Sequence, residues 1–300
     1  MIIHVWFLVY PRSYEVVKQD DCLCKKIEII RGNCNAIMTK LHLEKVVATI
    51  TDFIRKEVQA RNSEGTVLGM SGGLDSSLAA VLAVNAIGPK KVFGLSMPDS
   101  NVTPKVDTKQ AQQLAERLGI EYRIVEIGNI KKQMLNLLPR KSVIAEGNLL
   151  ARLRMCILYY YAGIMNRLVL GTGTKSEIKL GYFTKYGDGA ADIFPIADLY
   201  KSEVKQIGAY LSLPPSILIK ESSPRLWRSQ TAESEIGLSY DEIDNILKYL
   251  ARSSSIRISC PDRRHTDIVM GLIKRSEHKR KLPPFCRLHD SNNSKGLPRL

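Results

Sequence analysis

The stretch VLGMSGGLDSSLAAVLA, Val67 to Ala83, limits the possible folds of this 300-residue chain more than any other. Val67 and Leu68 read as the end of a buried strand, and Leu78 to Ala83 read as a helix. Between them, Gly72 and Gly73 allow backbone angles that side chains resist and let a ligand approach the main chain. A strand, a glycine turn and a helix N-terminus aim several unpaired N–H groups at one point, which suits an anion. Ser71, Ser76 and Ser77 add hydroxyl donors, whereas Asp75 would repel a bare phosphate. That carboxylate makes sense if a magnesium ion stands between it and the phosphate oxygens. The stretch therefore reads as a phosphate cradle with a metal hook. The competing reading is a serine-capped turn with no ligand.

Composition is that of a globular chain able to bury a core without staples, with 44% hydrophobic and 25% charged residues. Six cysteines are too sparse for a disulfide scaffold. Cys22, Cys24 and Cys34 cluster, but no fourth ligand lies at a zinc-site spacing. No apolar run approaches the roughly 20 residues that cross a bilayer. The opening MIIHVWFLVYPRSY lacks a basic flank and a cleavage pattern, so a cytoplasmic location is expected, with no membrane partner. The net charge of +14 favours anionic partners. Twelve basic residues against four acidic ones follow from Arg252 to the end. Nucleic acid and a polyphosphate substrate both fit that excess, and charge alone does not separate them.

Residues 1–37 carry no clear period and read as an atypical N-terminal extension. Met38 opens a helix whose apolar stripe is Leu41, Val46, Val47, Ile50, Phe53 and Ile54. Strands are expected at Val92–Met97, Tyr122–Ile127 and in RLVLGTGT, with helices over 107–118 and Gly147–Met165. Alternation of strand and helix predicts an α/β fold, a doubly wound parallel sheet with helices on both faces. A catalytic domain spanning 38–286 and a fraying polar tail over 287–300 complete the expected organisation.

In such sheets ligands sit beyond the carboxyl ends of the strands, where both SGGLDSS and GTGTKSE fall. Glu177 in the latter brings a second carboxylate towards Asp75, a pair suited to one magnesium ion; alone it reads as a helix-start acid. Thr172 lies in the same loop. GYFTKYGDGAADIFPIADLYKSEV, Gly181 to Val204, is dense in glycine, aromatic and charged residues for a loop, a composition that favours binding. Lys185 and Lys201 suit phosphate or carboxylate, and Asp188 and Asp192 suit hydroxyls or an amide. Arg152 and Arg154, two apart on a helix, point different ways. SEHKRKLPP by itself reads as a solvated basic face.

Taken in order, these motifs resemble ammonia-dependent NAD synthetases. SGGLDSS is similar to the signature of the wider ATP-pyrophosphatase group, which adenylates an acceptor and releases pyrophosphate. GNLLARLRM, GTGTKSE, the Gly181–Val204 run and SEHKR resemble the NAD synthetase branch, over roughly Met38 to Pro284. The resemblance implies a Rossmann-like fold of the ATP-pyrophosphatase type, and conversion of deamido-NAD, ATP and ammonia to NAD, AMP and pyrophosphate. It places the ATP loop on Gly69, Met70, Ser71, Gly72, Gly73, Leu74, Asp75 and Ser76, with further ATP contacts at Thr172, Lys201 and Ser223. Magnesium falls on Asp75 and Glu177, and deamido-NAD on Arg152, Lys185, Asp192, His278 and Lys279. Asp192 is the suggested proton acceptor for ammonia, alongside Asp75, Glu177 and Lys201 as catalytic residues. A homodimer is implied, and nucleic acid is not an expected partner. The stretch before Met38 is too short for a glutaminase domain, so free ammonia is the expected nitrogen donor unless a separate subunit supplies it.

The chain departs from the family run KPPSAGLW…GQTDE, reading KESSPRLWRSQTAE from Lys220 to Glu233. Ser222, Ser229 and Ala232 stand where a proline, a glycine and an aspartate are common. A segment that orders over the active site in relatives is thus altered. The absent lysine in SGGLDSS has a chemical reason under this reading. A Walker lysine serves transfer of a terminal phosphate, whereas here the bond between α and β breaks. An RNA-thiolating relative and a non-enzymatic nucleotide binder are the alternatives; this chain has no cysteine pair near the sheet edge to serve the former, and the presence of both Asp75 and Glu177 argues against the latter.

Overall fold

A computed structural model describes residues 38–138, 142–251 and 261–286. The expected extension over 1–37, with its three cysteines, and the tail over 287–300 lie outside the described residues. Four parallel strands form the sheet: β1 (Thr66–Gly69), β2 (Val92–Ser96), β3 (Glu121–Ile124) and β4 (Leu168–Val169), in the order β3-β2-β1-β4. Thr66 pairs with Val92 on one side and Leu168 on the other, and Phe93 pairs with Glu121.

Helices cover both faces, as the strand–helix alternation requires. The period of two along a strand divides the core: Leu68 and Val92 point one way, Val67, Phe93 and Leu95 the other. On the first face lie α1 (Lys40–Ala60), α2 (Leu74–Ile87), α3 (Lys105–Leu118) and α7 (Lys201–Tyr210). On the second lies α5 (Val143–Met165), through Leu150, Met155, Leu158 and Ala162, next to α4 (Gly128–Asn136). A third cluster joins α6 (Lys175–Leu180), α9 (Ala232–Ile236), α10 (Tyr240–Leu250) and α11 (Arg263–Arg275) around Ile243, Ile246 and Val269. The short α8 (Pro215–Leu218) follows α7. Among the described residues, no helix is long and apolar enough to cross a membrane.

Two local expectations shift. The helix after β1 begins at Leu74 rather than Leu78. Gly73 is its extended N-cap, and Ser76 and Ser77 turn their hydroxyls back onto the Gly73 carbonyl at 3.2 and 2.7 Å. Asp75 thus stands in a first helical turn, not in a loop. The strand expected in RLVLGTGT is only two residues long. Beyond it, Leu170 bridges in parallel to Ile193, and a Cβ on Gly171 would meet the Phe194 ring at 2.4 Å. The chain from 190 to 196 returns against the end of β4, a long-range pairing without a local signal.

Candidate active site

The carboxyl ends of the strands open into a cavity of about 860 Å³. The glycine–serine turn after β1 lines it through Ser71, Gly73 and Ser76. Gly72 has φ +73°, and a Cβ there would lie 2.1 Å from the Asp107 carbonyl oxygen. Both facts exclude a side chain. Gly72→Ala is therefore expected to cost about 2 kcal/mol or more, with loss of nucleotide binding, read by denaturant melts and calorimetry. The Ser77 amide makes the first intrahelical bond, to Gly73. The amides of Leu74, Asp75 and Ser76 precede it and have no helical acceptor, and Gly73 supplies no side-chain cap. Ser71 and Ser76 share a hydroxyl contact of 3.0 Å and line the cavity, whereas Ser77 is outside its wall.

Lys201 joins the two carboxylates read from the sequence. Its Nζ donates to Asp75 Oδ2 at 2.5 Å and to Glu177 Oε1 at 3.0 Å. Glu177 is also the helix-start acid of the alternative reading: its Oε2 accepts from the Thr174 amide and hydroxyl at 3.0 and 2.8 Å, closing a capping box. One oxygen builds α6 and the other faces Lys201. The Asp75 carboxyl is pushed up to about 6, because enclosure by the cavity wall outweighs the pull of Lys201, and Glu177 repels it further. The two carboxylates in turn raise Lys201 above the ordinary lysine range, against burial that lowers it.

Asp75 Oδ1 is buried without a hydrogen-bond partner. An orphaned carboxylate oxygen, with a second carboxylate on the same lysine, is a donor set that fits a hard divalent cation. Among the described residues no cluster of three or more metal-binding side chains exists, so phosphate oxygens would complete the shell.

A second layer fixes Lys201. Asp244, buried in α10, accepts from the Ser176 hydroxyl at 2.5 Å and from the Ser202 amide at 2.8 Å. Ser176 accepts from the Lys201 amide at 3.0 Å, and the Tyr240 ring centroid lies 5.0 Å from the ammonium. Sequence reasoning missed this network, whose hydrogen bonds span 25 to 68 residues.

The remaining sequence candidates divide by position. Gly69, Met70, Ser71, Gly73, Leu74, Thr172, Ser223, Lys185 and Lys279 line the cavity. Arg154, not Arg152, also lines it, donating to the Met97 and Pro224 carbonyls at 3.1 and 3.4 Å. Arg152 is exposed and donates to the Lys185 carbonyl at 3.3 Å. Lys185 in turn reaches the His278 carbonyl at 2.8 Å. Asp192 is exposed at the edge of β4, where Oδ2 accepts from the Val169 amide at 2.7 Å. Arg152, Asp192 and His278 are outside the cavity wall, while Asp188 is within it.

The basic run SEHKRKLPP is more than a solvated face. Lys279 Nζ donates to the Gly181 and Phe183 carbonyls at 2.8 and 2.7 Å. Arg280 donates to the Ile178 and Lys179 carbonyls at the C-terminal end of α6, where a cation is favoured. Ala232, at a common family aspartate, is buried and lines the cavity.

The model of the NAD synthase family matches residues 46–283. The chain belongs to that family. It is 48% identical over 250 residues to an NH3-dependent NAD(+) synthetase of Archaeoglobus fulgidus, covering 83% of this chain and 99% of the relative. The NH3-dependent NAD synthetase of Campylobacter jejuni, solved with nitrate, superposes with a TM-score of 0.71 at 33% identity, over 82% of this chain and 99% of that one. An NMN synthetase of Francisella tularensis superposes with a TM-score of 0.75 at 36% identity, with the same coverage. The α/β parallel sheet expected from the sequence is the fold of these NAD synthase family members.

Proposed function

We propose that this cavity takes ATP and deamido-NAD together and that the residues around Lys201 drive adenylation of the nicotinate carboxylate. The protein is a carbon–nitrogen ligase of NAD formation, using deamido-NAD, ATP and ammonia as its family does. The observation that carries the site reading is the meeting of Asp75 and Glu177 on Lys201 beside three first-turn amides that have no helical acceptor.

The amides of Leu74 to Ser76 and the hydroxyls of Ser71 and Ser76 hold the polyphosphate, with Thr172 and Ser223 on the nucleotide. Lys185 and Lys279 bind the deamido-NAD side. Asp75 and Glu177 would hold Mg2+, which supplies charge neutralisation on the phosphates. A nicotinate oxygen attacks the α-phosphorus, the bond from that phosphorus to the bridging oxygen breaks, and pyrophosphate leaves towards Lys201. Ammonia then attacks the acyl carbon and AMP departs. Positioning and charge compensation, not a covalent nucleophile, supply the catalysis. The ammonium proton needs an acceptor in the cavity. Asp188, which is on the wall and accepts from the Thr184 amide through Oδ1, is better placed for this than Asp192, which lies outside the wall.

The outward face of α5 supports a homodimer. Tyr160 and Ile164, one turn apart on the same face, are each more than 60% exposed, an apolar patch that a second copy would cover. Arg152 shares this exposed side with Cys156 and Tyr160, so residues outside the wall would meet substrate at the junction of two chains.

Incubation with ATP, Mg2+, ammonium and deamido-NAD is expected to give NAD and AMP in equal amounts; absence of AMP refutes the reading. The likeness to an NMN synthetase makes a mononucleotide acceptor the second reading. Deamidated mononucleotide, run in parallel at equal concentration, decides between them by relative kcat/KM. Lys279→Ala frees the carbonyls of Gly181 and Phe183 and is expected to raise KM for deamido-NAD about tenfold, the size of one charged hydrogen bond. An unchanged KM argues against that placement.

A further inference from the structure

The segment from Lys220 to Gln230 has no helix or strand, yet its first part, Lys220 to Leu226, forms one wall of the cavity. Its anchor is a residue with no assigned role. Asp107, in the first turn of α3, is 3% exposed. Its Oδ1 accepts from Lys220 Nζ at 3.0 Å, and its Oδ2 accepts from Arg225 Nε at 3.0 Å. Lys220 also donates to the Gly72 carbonyl at 2.6 Å and to Gln110 Oε1. The backbone of Asp107 packs against Gly72 from below, leaving no room for a Cβ. One carboxylate therefore ties together the glycine that turns strand into phosphate loop and a wall segment over 110 residues away in sequence.

Arg225 makes its half of this contact from a left-handed backbone, φ +51°, that a side chain resists. A residue of this kind persists where surrounding contacts over-determine it. Here the contact is an ion pair to a buried acid at the edge of the cavity.

We propose that Asp107 is a positioning residue for ATP. It holds Lys220 on the Gly72 carbonyl, which keeps the amides of the phosphate loop aimed at the polyphosphate. Through Arg225 it also holds the wall segment so that Ser223 faces the nucleotide. The inference rests on the reading that this cavity takes ATP, and it concerns ATP and not deamido-NAD.

Wild type, Asp107→Asn, Arg225→Gly and the double variant are compared by calorimetric Kd for ATP with Mg2+, by KM for each substrate, and by thermal melts. Asp107→Asn is expected to weaken ATP about tenfold, the loss of a charge-assisted hydrogen bond, with KM for deamido-NAD changed less than about twofold. Arg225→Gly is expected to weaken ATP about threefold while Tm holds or rises, because glycine suits the left-handed backbone. Affinity and stability then move apart, which a merely structural role would not produce. The double variant is expected to match Asp107→Asn, since both changes break one network. An unchanged ATP affinity in Asp107→Asn, equal loss for both substrates, or additive effects would overturn the proposal. A wild type that binds ATP but forms no AMP would refute the ligase reading, and the Kd comparison would still judge Asp107. A wild type that binds no ATP would overturn both.

Discussion

Asp75→Ala is expected to lower pyrophosphate release by about a thousandfold or more while leaving the fold intact. The loss follows from position. Asp75 is at the start of α2, directly after the turn that presents the unpaired amides, and its Oδ1 has no other partner. No neighbouring residue can take its place, because Glu177 spends one oxygen on the cap of α6. Stability should change little for two reasons. Burial already works against the Asp75 charge, pushing its carboxyl to about 6. Lys201, deprived of Asp75, keeps Glu177 at 3.0 Å. A pyrophosphate-release assay paired with a thermal melt checks both halves, and normal turnover in the variant would sink the assignment of Asp75.

The parts of this site that the sequence reveals are those built by neighbours in the chain. SGGLDSS sits between an apolar strand and an apolar helix, so its glycines and serines stand out against a buried background. Thr174 and Glu177 are three apart, a spacing that carries the helix cap and the inward carboxylate together. What the sequence hides is built by distant partners. Asp107 belongs to an ordinary amphipathic helix until Lys220 and Arg225 arrive from more than a hundred residues away. Asp192 stood out as an acid in a binding-type loop, but the return of the chain against β4 gives its oxygen to the Val169 amide. No local pattern reports that pairing, because β4 is two residues long and its neighbour is a single bridge. Arg280 was legible in part: a basic residue in a charged run reads as solvated, and only the end of α6 beneath it makes it a cap.

Lys201→Met tests the centre of the site from the opposite direction, and unlike Asp75→Ala it is expected to cost stability as well as activity. The side chain is 9% exposed and its ammonium compensates two carboxylates at once. Methionine keeps most of the packing volume but leaves Asp75 and Glu177 facing each other without a cation. Removing one partner of a buried ion pair costs about 3–5 kcal/mol, so a lower Tm is expected together with a kcat/KM loss of about a thousandfold. The carboxylates then want a cation from solution. Mg2+ alone, without ATP, should raise the Tm of Lys201→Met more than that of wild type, because binding to the folded state only adds stability by mass action. Adding Asp75→Asn to Lys201→Met should restore part of the lost stability and abolish the Mg2+ response, since repulsion and a ligand disappear together. This readout separates metal binding from catalysis, which activity measurements on the Asp75 variant cannot do. If Mg2+ shifts wild type, Lys201→Met and the double variant equally, the two carboxylates are partners of Lys201 alone and the metal is held elsewhere.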